Sequence, residues 1–220
     1  MLYSPPMDFT RLAPVLLCAA CSGKPADTAA GSCVLPQLIA TDIDETLTTS
    51  DSEWVKQLAD PTHVPAMRPD ANTLMQGYAE LGYRVVYITA RGEDPVLADG
   101  RTSREATWDW LTAQGFPGQP EDLFLAQGIG AAGEIAVEYK SGVLAELSQA
   151  GSDTVWAYGN ADSDIEAFLQ HGIPEDRIFL VGELAGTMGV IGLTDEEAYS
   201  AHMPEQLASV EPASGADCAQ

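Results

Sequence analysis

The sequence predicts an α/β fold: a Rossmann-like parallel sheet of about five strands, flanked by helices on both faces. Three observations lead there. Short runs rich in β-branched and aromatic residues alternate with stretches whose apolar residues recur at three and four, as strands joined by helical crossovers do. Polar clusters follow several of these runs on the carboxyl side, where open α/β sheets bind ligands. The length of 220 residues and a hydrophobic content of 45% allow one domain of ordinary size with a proper core.

Charge narrows the function. Ten basic residues face 33 acidic ones, a formal charge of −23. Such a surface repels nucleic acid and anionic head groups, so the partners are expected to include no nucleic acid. A phosphate-bearing substrate would need a local cation: a metal, Lys or Arg. No apolar run reaches the length of a membrane-spanning helix, and no internal repeat is visible.

Residues 1–33 read as a leader and linker. Arg11 precedes the apolar run Leu12–Ala20, and Cys21-Ser22-Gly23-Lys24-Pro25 follows, a pattern similar to a secretory signal with a lipoprotein-type cleavage site. Asp8 and Cys18 depart from it. The expectation is export as a bacterial lipoprotein, on the periplasmic face or cell surface, with membrane association through a lipid anchor on Cys21. A cytoplasmic leader is the alternative. Cys33 and Cys218 would remain, free to pair in an oxidising compartment.

The first strand is Leu38-Ile39-Ala40-Thr41. Residues 49–67, with Pro61 and Pro65, read as a loop or small flap with about one helical turn near Glu53–Leu58. Leu74, Tyr78 and Leu81 mark a helix that Asp70 can cap and Gly82 ends. Tyr83–Thr89 is a second strand. Thr102 and Glu105 form a capping box for a helix through Gln114. Leu123–Leu125 is a third strand, and a helix over Ala136–Leu147 carries Lys140. Thr154–Tyr158 is the fourth strand. Ser163–His171 is a helix with Ile165, Phe168 and Leu169 inward, and Arg177–Val181 is the fifth strand. Residues 196–220 are one helix and a mobile tail. Trp108 and Trp110 should split between core and surface, and His63, His171 and His202 show no metal spacing.

The chemistry gathers where strands end. Asp42, Asp44 and Thr46 alternate just beyond strand one, and alternation places them on a common side. Two carboxylates so close repel unless a cation or shared proton lies between them. Thr89-Ala90-Arg91 closes strand two, and Gly159-Asn160-Ala161-Asp162-Ser163-Asp164 closes strand four. Each has a plainer reading: an acidic turn, a strand-end hydroxyl, a solvated helix lysine, an acid favoured at a helix start. Asp162 fits that last description.

Together, Asp42-Ile-Asp44-Glu-Thr46, Thr89-Ala-Arg91, Lys140 and Gly159-Asn160-Ala-Asp162-Ser-Asp164 resemble the four ordered motifs of haloacid-dehalogenase-like phosphohydrolases, over about residues 36–185. The details are most similar to lipin-type (LNS2-like) phosphatidate phosphatase domains: Thr46-Leu-Thr48-Thr-Ser50-Asp51 continues the first motif as theirs does, and Gly172-Ile-Pro leads to Arg177-Ile-Phe179. The resemblance implies a phosphatase domain over 34–195 that hydrolyses phosphomonoesters with Mg²⁺. Asp42 would be the nucleophile and Asp44 the acid and base. Thr89 and Lys140 would hold the phosphoryl oxygens. Asp42, the Asp44 carbonyl, Asn160 and Asp164 would seat the metal. Thr46, Ala90 and Arg91 would line the substrate, Arg91 alternatively anchoring a loop. Glu45 stands where Gly is usual, and the basic membrane patches of lipins are missing. The substrate is expected to be a phosphorylated small molecule or a phospholipid. An exported acid phosphatase and a catalytically weak lipid-binding module are the competing readings.

Overall fold

The computed structural model describes residues 36–193 and 198–214. Six strands, all parallel, form one sheet: β1 (Gln37–Thr41), β2 (Arg84–Gly92), β3 (Leu123–Ala126), β4 (Asp153–Gly159), β5 (Ile178–Val181) and β6 (Ile191–Leu193). Their spatial order is β3-β2-β1-β4-β5-β6. The chain steps outward from β1 to β3, then returns to β4 on the other side of β1. That reversal lies between the carboxyl ends of β1 and β4, the crevice where doubly wound sheets take ligands.

The sheet has one strand more than expected. Strand β6 is only three residues long and follows a glycine-rich turn, too short to show a period. Among the described residues six α-helices connect and cover the strands: α1 (Ser52–Ala59), α2 (Ala71–Glu80), α3 (Ser103–Ala113), α4 (Glu134–Gln149), α5 (Asp162–His171) and α6 (Ala198–Ser209). One face of the sheet packs Ile39, Val85, Tyr87 and Phe179 against Leu74, Met75 and Tyr78 of α2, Trp110 and Leu111 of α3, and Tyr199 of α6. The other packs Leu38, Ala40, Val86, Ile88 and Leu180 against Val143, Leu144 and Leu147 of α4 and Ile165 and Phe168 of α5. Trp110 is buried and Trp108 partly so, both on the α3 side.

A bulge in β4 adjusts the alternation. Leu38 pairs with Thr154 but Ile39 with Trp156, so one residue of β4 is extra. Val155 and Trp156 both contact the α2 side, after which Ala157 and Tyr158 alternate normally. Tyr158 can then join a buried polar chain: its hydroxyl is 2.7 Å from that of Tyr78 and 3.0 Å from His202 Nε2, while Gln206 Nε2 donates to Tyr78 (2.8 Å).

Two local expectations need correction. Asp70 does not cap α2; it sits in the left-handed region (φ +58°), and its carboxylate accepts from Ser200 Oγ at 2.5 Å. The carboxyl-terminal segment is not loose as far as residue 214. The Tyr199 hydroxyl donates to the Thr46 carbonyl (3.0 Å), Tyr83 to that of Glu211 (2.9 Å), and Ala213 N to that of Leu81 (2.8 Å). Thr102 and Glu105 do form their capping box on α3. Residues 1–35, with Cys18, Cys21 and Cys33, and residues 215–220, with Cys218, lie outside the described residues, and so do the expectations about export, acylation and pairing.

Candidate active site

The first motif is shaped by its own turn. Asp42 N donates to the Tyr158 carbonyl (3.0 Å), extending β1 by one residue, and the chain then wraps so that Leu47 N and Thr48 N both donate to the Ile43 carbonyl (2.8 and 3.0 Å). Glu45 occupies the left-handed region (φ +57°), where Gly would rest without strain. Its backbone is tied down on both sides: Glu45 N donates to Thr48 Oγ1 (2.9 Å) and Arg68 Nε donates to the Glu45 carbonyl (2.9 Å).

Lys140 is the centre of the cluster. It is 3% exposed, and its ammonium donates to Asp42 Oδ1 (2.9 Å) and to Asp164 Oδ1. The helical period of α4 turns Lys140 towards the sheet, with Ala136, Val137, Val143 and Leu144 also buried on that helix. Asp164, fully buried in the first turn of α5, also accepts from Asn160 N and Ala161 N (both 3.0 Å). Gly159 makes the approach possible, since a Cβ there would lie 2.5 Å from Asp164 Cβ. Thr46 Oγ1 reaches Asp42 Oδ2 (3.3 Å) and Asn160 Oδ1 (3.1 Å), and Asn160 Nδ2 donates to Glu45 Oε2 (3.1 Å). Asp42, Thr46, Lys140, Asn160 and Asp164 thus meet at one point.

Asp44, Thr89 and Arg91 form the second half. Arg91 donates from Nε and Nη2 to the two oxygens of Asp44 (2.7 and 2.8 Å) and from Nη1 to Thr107 Oγ1 (3.0 Å), and Trp54 lies under its guanidinium at 4.5 Å. Thr89 Oγ1 faces Asp44 Oδ2 at 3.4 Å. Arg91, 1% exposed, is turned inward onto Asp44 and Thr107. The Ala90 carbonyl accepts from Ala131 N (2.9 Å), pinning the loop before α4. Trp54, Thr107 and the crossing role of Glu45 were not assigned from the sequence. An aromatic on the flap helix was the one available signal, and its target could not be read from spacing.

The electrostatics follow from crowding. Burial, aided by the charges of Asp164 and Asp44, pushes the Asp42 carboxyl up to about 7 against the pull of Lys140. Burial also works against the Lys140 charge, but Asp164 and Asp42 outweigh it and hold the ammonium above its ordinary value. More positive charge would relieve Asp42, and every donor here is a hard oxygen, so the set fits a magnesium-like cation. Among the described residues no three His, Cys, Asp or Glu side chains form a ready-made cage. Mg²⁺ rarely needs one, because it keeps several waters and takes one or two carboxylates. A cavity of about 400 Å³ opens beside the cluster, lined by Glu45, Asp51, Asn160, Asp162 and Glu183 among others. A larger one of about 550 Å³, along α4 at the β3 edge, includes none of the expected site residues.

A parallel switch-point sheet carrying this cluster has the fold of the HAD-like phosphatases. Within it the chain belongs to the LNS2 domain family: the sequence profile described as PITM 1-3, LNS2 domain, matches residues 39–182, well over half of the chain. No curated protein matches the sequence. Among solved structures, a protein described as a had-like phosphatase from Mesorhizobium loti aligns at 15% identity and TM-score 0.53, over 84% of this chain and 90% of that one. The D,D-heptose 1,7-bisphosphate phosphatase of B. bronchiseptica, complexed with magnesium and phosphate, aligns at 14% identity and TM-score 0.50, over 77% and 99%. The Pnkp1/Rnl/Hen1 complex aligns at 15% identity and TM-score 0.50, covering 66% of this chain but only 45% of the matched one. Identities this low establish the shared fold.

Proposed function

We propose that the chain is a Mg²⁺-dependent phosphomonoester hydrolase working through an aspartyl phosphate on Asp42. The observation that carries the reading is the buried Lys140 joining Asp42 to Asp164, with Asp44 beside them: groups 98 and 24 residues from Lys140 in sequence converge at one point. An Asp42 oxygen attacks phosphorus as the bond to the leaving oxygen breaks, and Asp44 supplies the proton that oxygen needs. Asp44 then takes a proton from the water that displaces phosphate from Asp42. Asp44 suits this task because its side chain is 20% exposed, whereas those of Asp42 and Asp164 are 6% and 0% exposed. Lys140 and the Thr89 hydroxyl are the donors for the phosphoryl oxygens. Asp42, the Asp44 carbonyl, Asn160 and Asp164 would hold Mg²⁺, which supplies charge neutralisation of the transferring group.

The substrate we infer is bulky or presented at a surface, phosphatidate being the first to test. The intervals between β1 and β2 and between β2 and β3 hold only α1, α2 and α3 with their loops, so no large cap closes the mouth. The test assays purified protein on phosphatidate vesicles and on a nucleotide monophosphate, with Mg²⁺ and with EDTA. Expected are Mg²⁺-dependent phosphate release from the vesicles and its loss in Asp42→Asn. Turnover that survives EDTA, or an active Asp42→Asn protein, would refute the mechanism.

A further inference from the structure

We propose that Trp54, on the flap helix α1, and Arg91 are positioning residues that aim the Asp44 carboxyl at the leaving oxygen. The proposal rests on the reading of Asp44 as the proton donor. All three nitrogens of the Arg91 guanidinium have partners inside the protein. Two N–H groups grip both oxygens of Asp44, a third meets Thr107, and the flat face lies on Trp54. A planar fork on a planar carboxylate fixes its orientation as a point charge could not. The fork is in turn fixed by what it lies on. Thr107 holds one edge and Trp54 the face, so the indole sets the height of the guanidinium and with it the tilt of Asp44.

The flap has its own means of holding that ring in place. Trp54 packs with Leu58, Leu97 and Ala106 in a small cluster separate from the two main core layers. The preceding residue, Glu53, is 5% exposed and accepts from Lys56 Nζ (2.6 Å), His63 Nε2 (2.8 Å) and Ala66 N (2.8 Å), stapling α1 to the loop that follows it. An aromatic held this firmly beside a buried cation does more than cover the core: it transmits the position of the flap to the acid.

Leaving-group dependence tests this. An acidic phenol departs without a proton, whereas an alcohol does not, so in the first step, which kcat/KM reports, a misplaced acid is felt only by the second. The steady-state constants of wild type, Trp54→Leu, Trp54→Phe and Arg91→Lys would be measured on p-nitrophenyl, phenyl and benzyl phosphate. Asp44→Asn serves as the reference for a lost acid. Thermal unfolding of each variant reports folding. Trp54→Leu and Arg91→Lys should lower kcat/KM on benzyl phosphate about tenfold and leave kcat/KM on p-nitrophenyl phosphate near wild type, while any loss in the shared second step shows in kcat on all three esters alike. Trp54→Phe, which restores an aromatic face, should recover most of the loss. An equal loss of kcat/KM on all three esters in the folded variants would overturn the proposal and, where it lies in KM alone, would make Arg91 a substrate ligand. A wild type inert on all three esters would instead refute the phosphohydrolase reading and the proposal with it.

Discussion

Lys140 shows how much one side chain holds together here. It neutralises two buried carboxylates, and its four-carbon stem crosses from α4 to the crevice between β1 and β4. Lys140→Met keeps the stem and removes the charge, leaving Asp42 and Asp164 uncompensated. It should destabilise the fold by about 3–5 kcal/mol, read from denaturant unfolding, and abolish turnover. A milder test needs no functional group. In Gly159→Ala the new methyl would lie 2.5 Å from Asp164 Cβ and 2.7 Å from its Cγ. The acid must then move off Lys140, at a cost of about 1–3 kcal/mol and with a clear fall in kcat. A Gly159→Ala protein with wild-type kinetics would show that the Lys140–Asp164 contact matters little.

The residues that converge on Lys140 were legible in the sequence because strand ends in a parallel sheet share one edge, and short runs mark those ends. The fate of Arg91 was not legible. A strand-end arginine can turn to solvent, substrate or a neighbouring acid, and the choice depends on Trp54 and Thr107, which lie 37 residues before it and 16 after it. The role of Glu45 was hidden similarly, since only the folded turn brings its carboxylate to Asn160.

At the scale of elements, α6 is the informative case. Its composition gave a helix, but its docking depends on the Tyr78–Tyr158–His202–Gln206 chain, and buried polar chains have no sequence period. Burial lowers His202 to about 4, from 6.5 when free. The folded form thus disfavours the imidazolium. The docking of α6 is at full strength above the free value and weakens as pH falls from about 6.5 towards 4, because the released helix binds the proton more readily. Hydrogen exchange of residues 198–209 should therefore speed up, beyond its intrinsic pH dependence, between about pH 7 and pH 5, and His202→Gln should flatten that change. Strand β6 escaped the sequence for a plainer reason: three residues against the edge of β5 carry too few side chains to mark a face.

For the whole molecule, the charge of −23 and the proposed reaction set two expectations. Mg²⁺ that binds only the folded state must raise the thermal midpoint with concentration, EDTA must reverse the rise, and Asp42→Asn must blunt it. A doubly charged phosphomonoester must also approach through a repulsive field. Raising ionic strength from about 0.01 to 0.15 M shortens the screening length from about 30 to 8 Å, so KM should fall with added salt. Most enzymes that attract anions to a basic mouth show the opposite trend.

The Tyr199 hydroxyl on the Thr46 carbonyl has an outcome for anyone trimming this protein. A clipped form ending before Ala198 would keep every motif residue and still strip the covering from Tyr158 and Phe179, while the backbone of the loop after β1 lost its latch. Such a fragment should be sticky and inert together, and adding the severed helix back as a peptide should cure both faults.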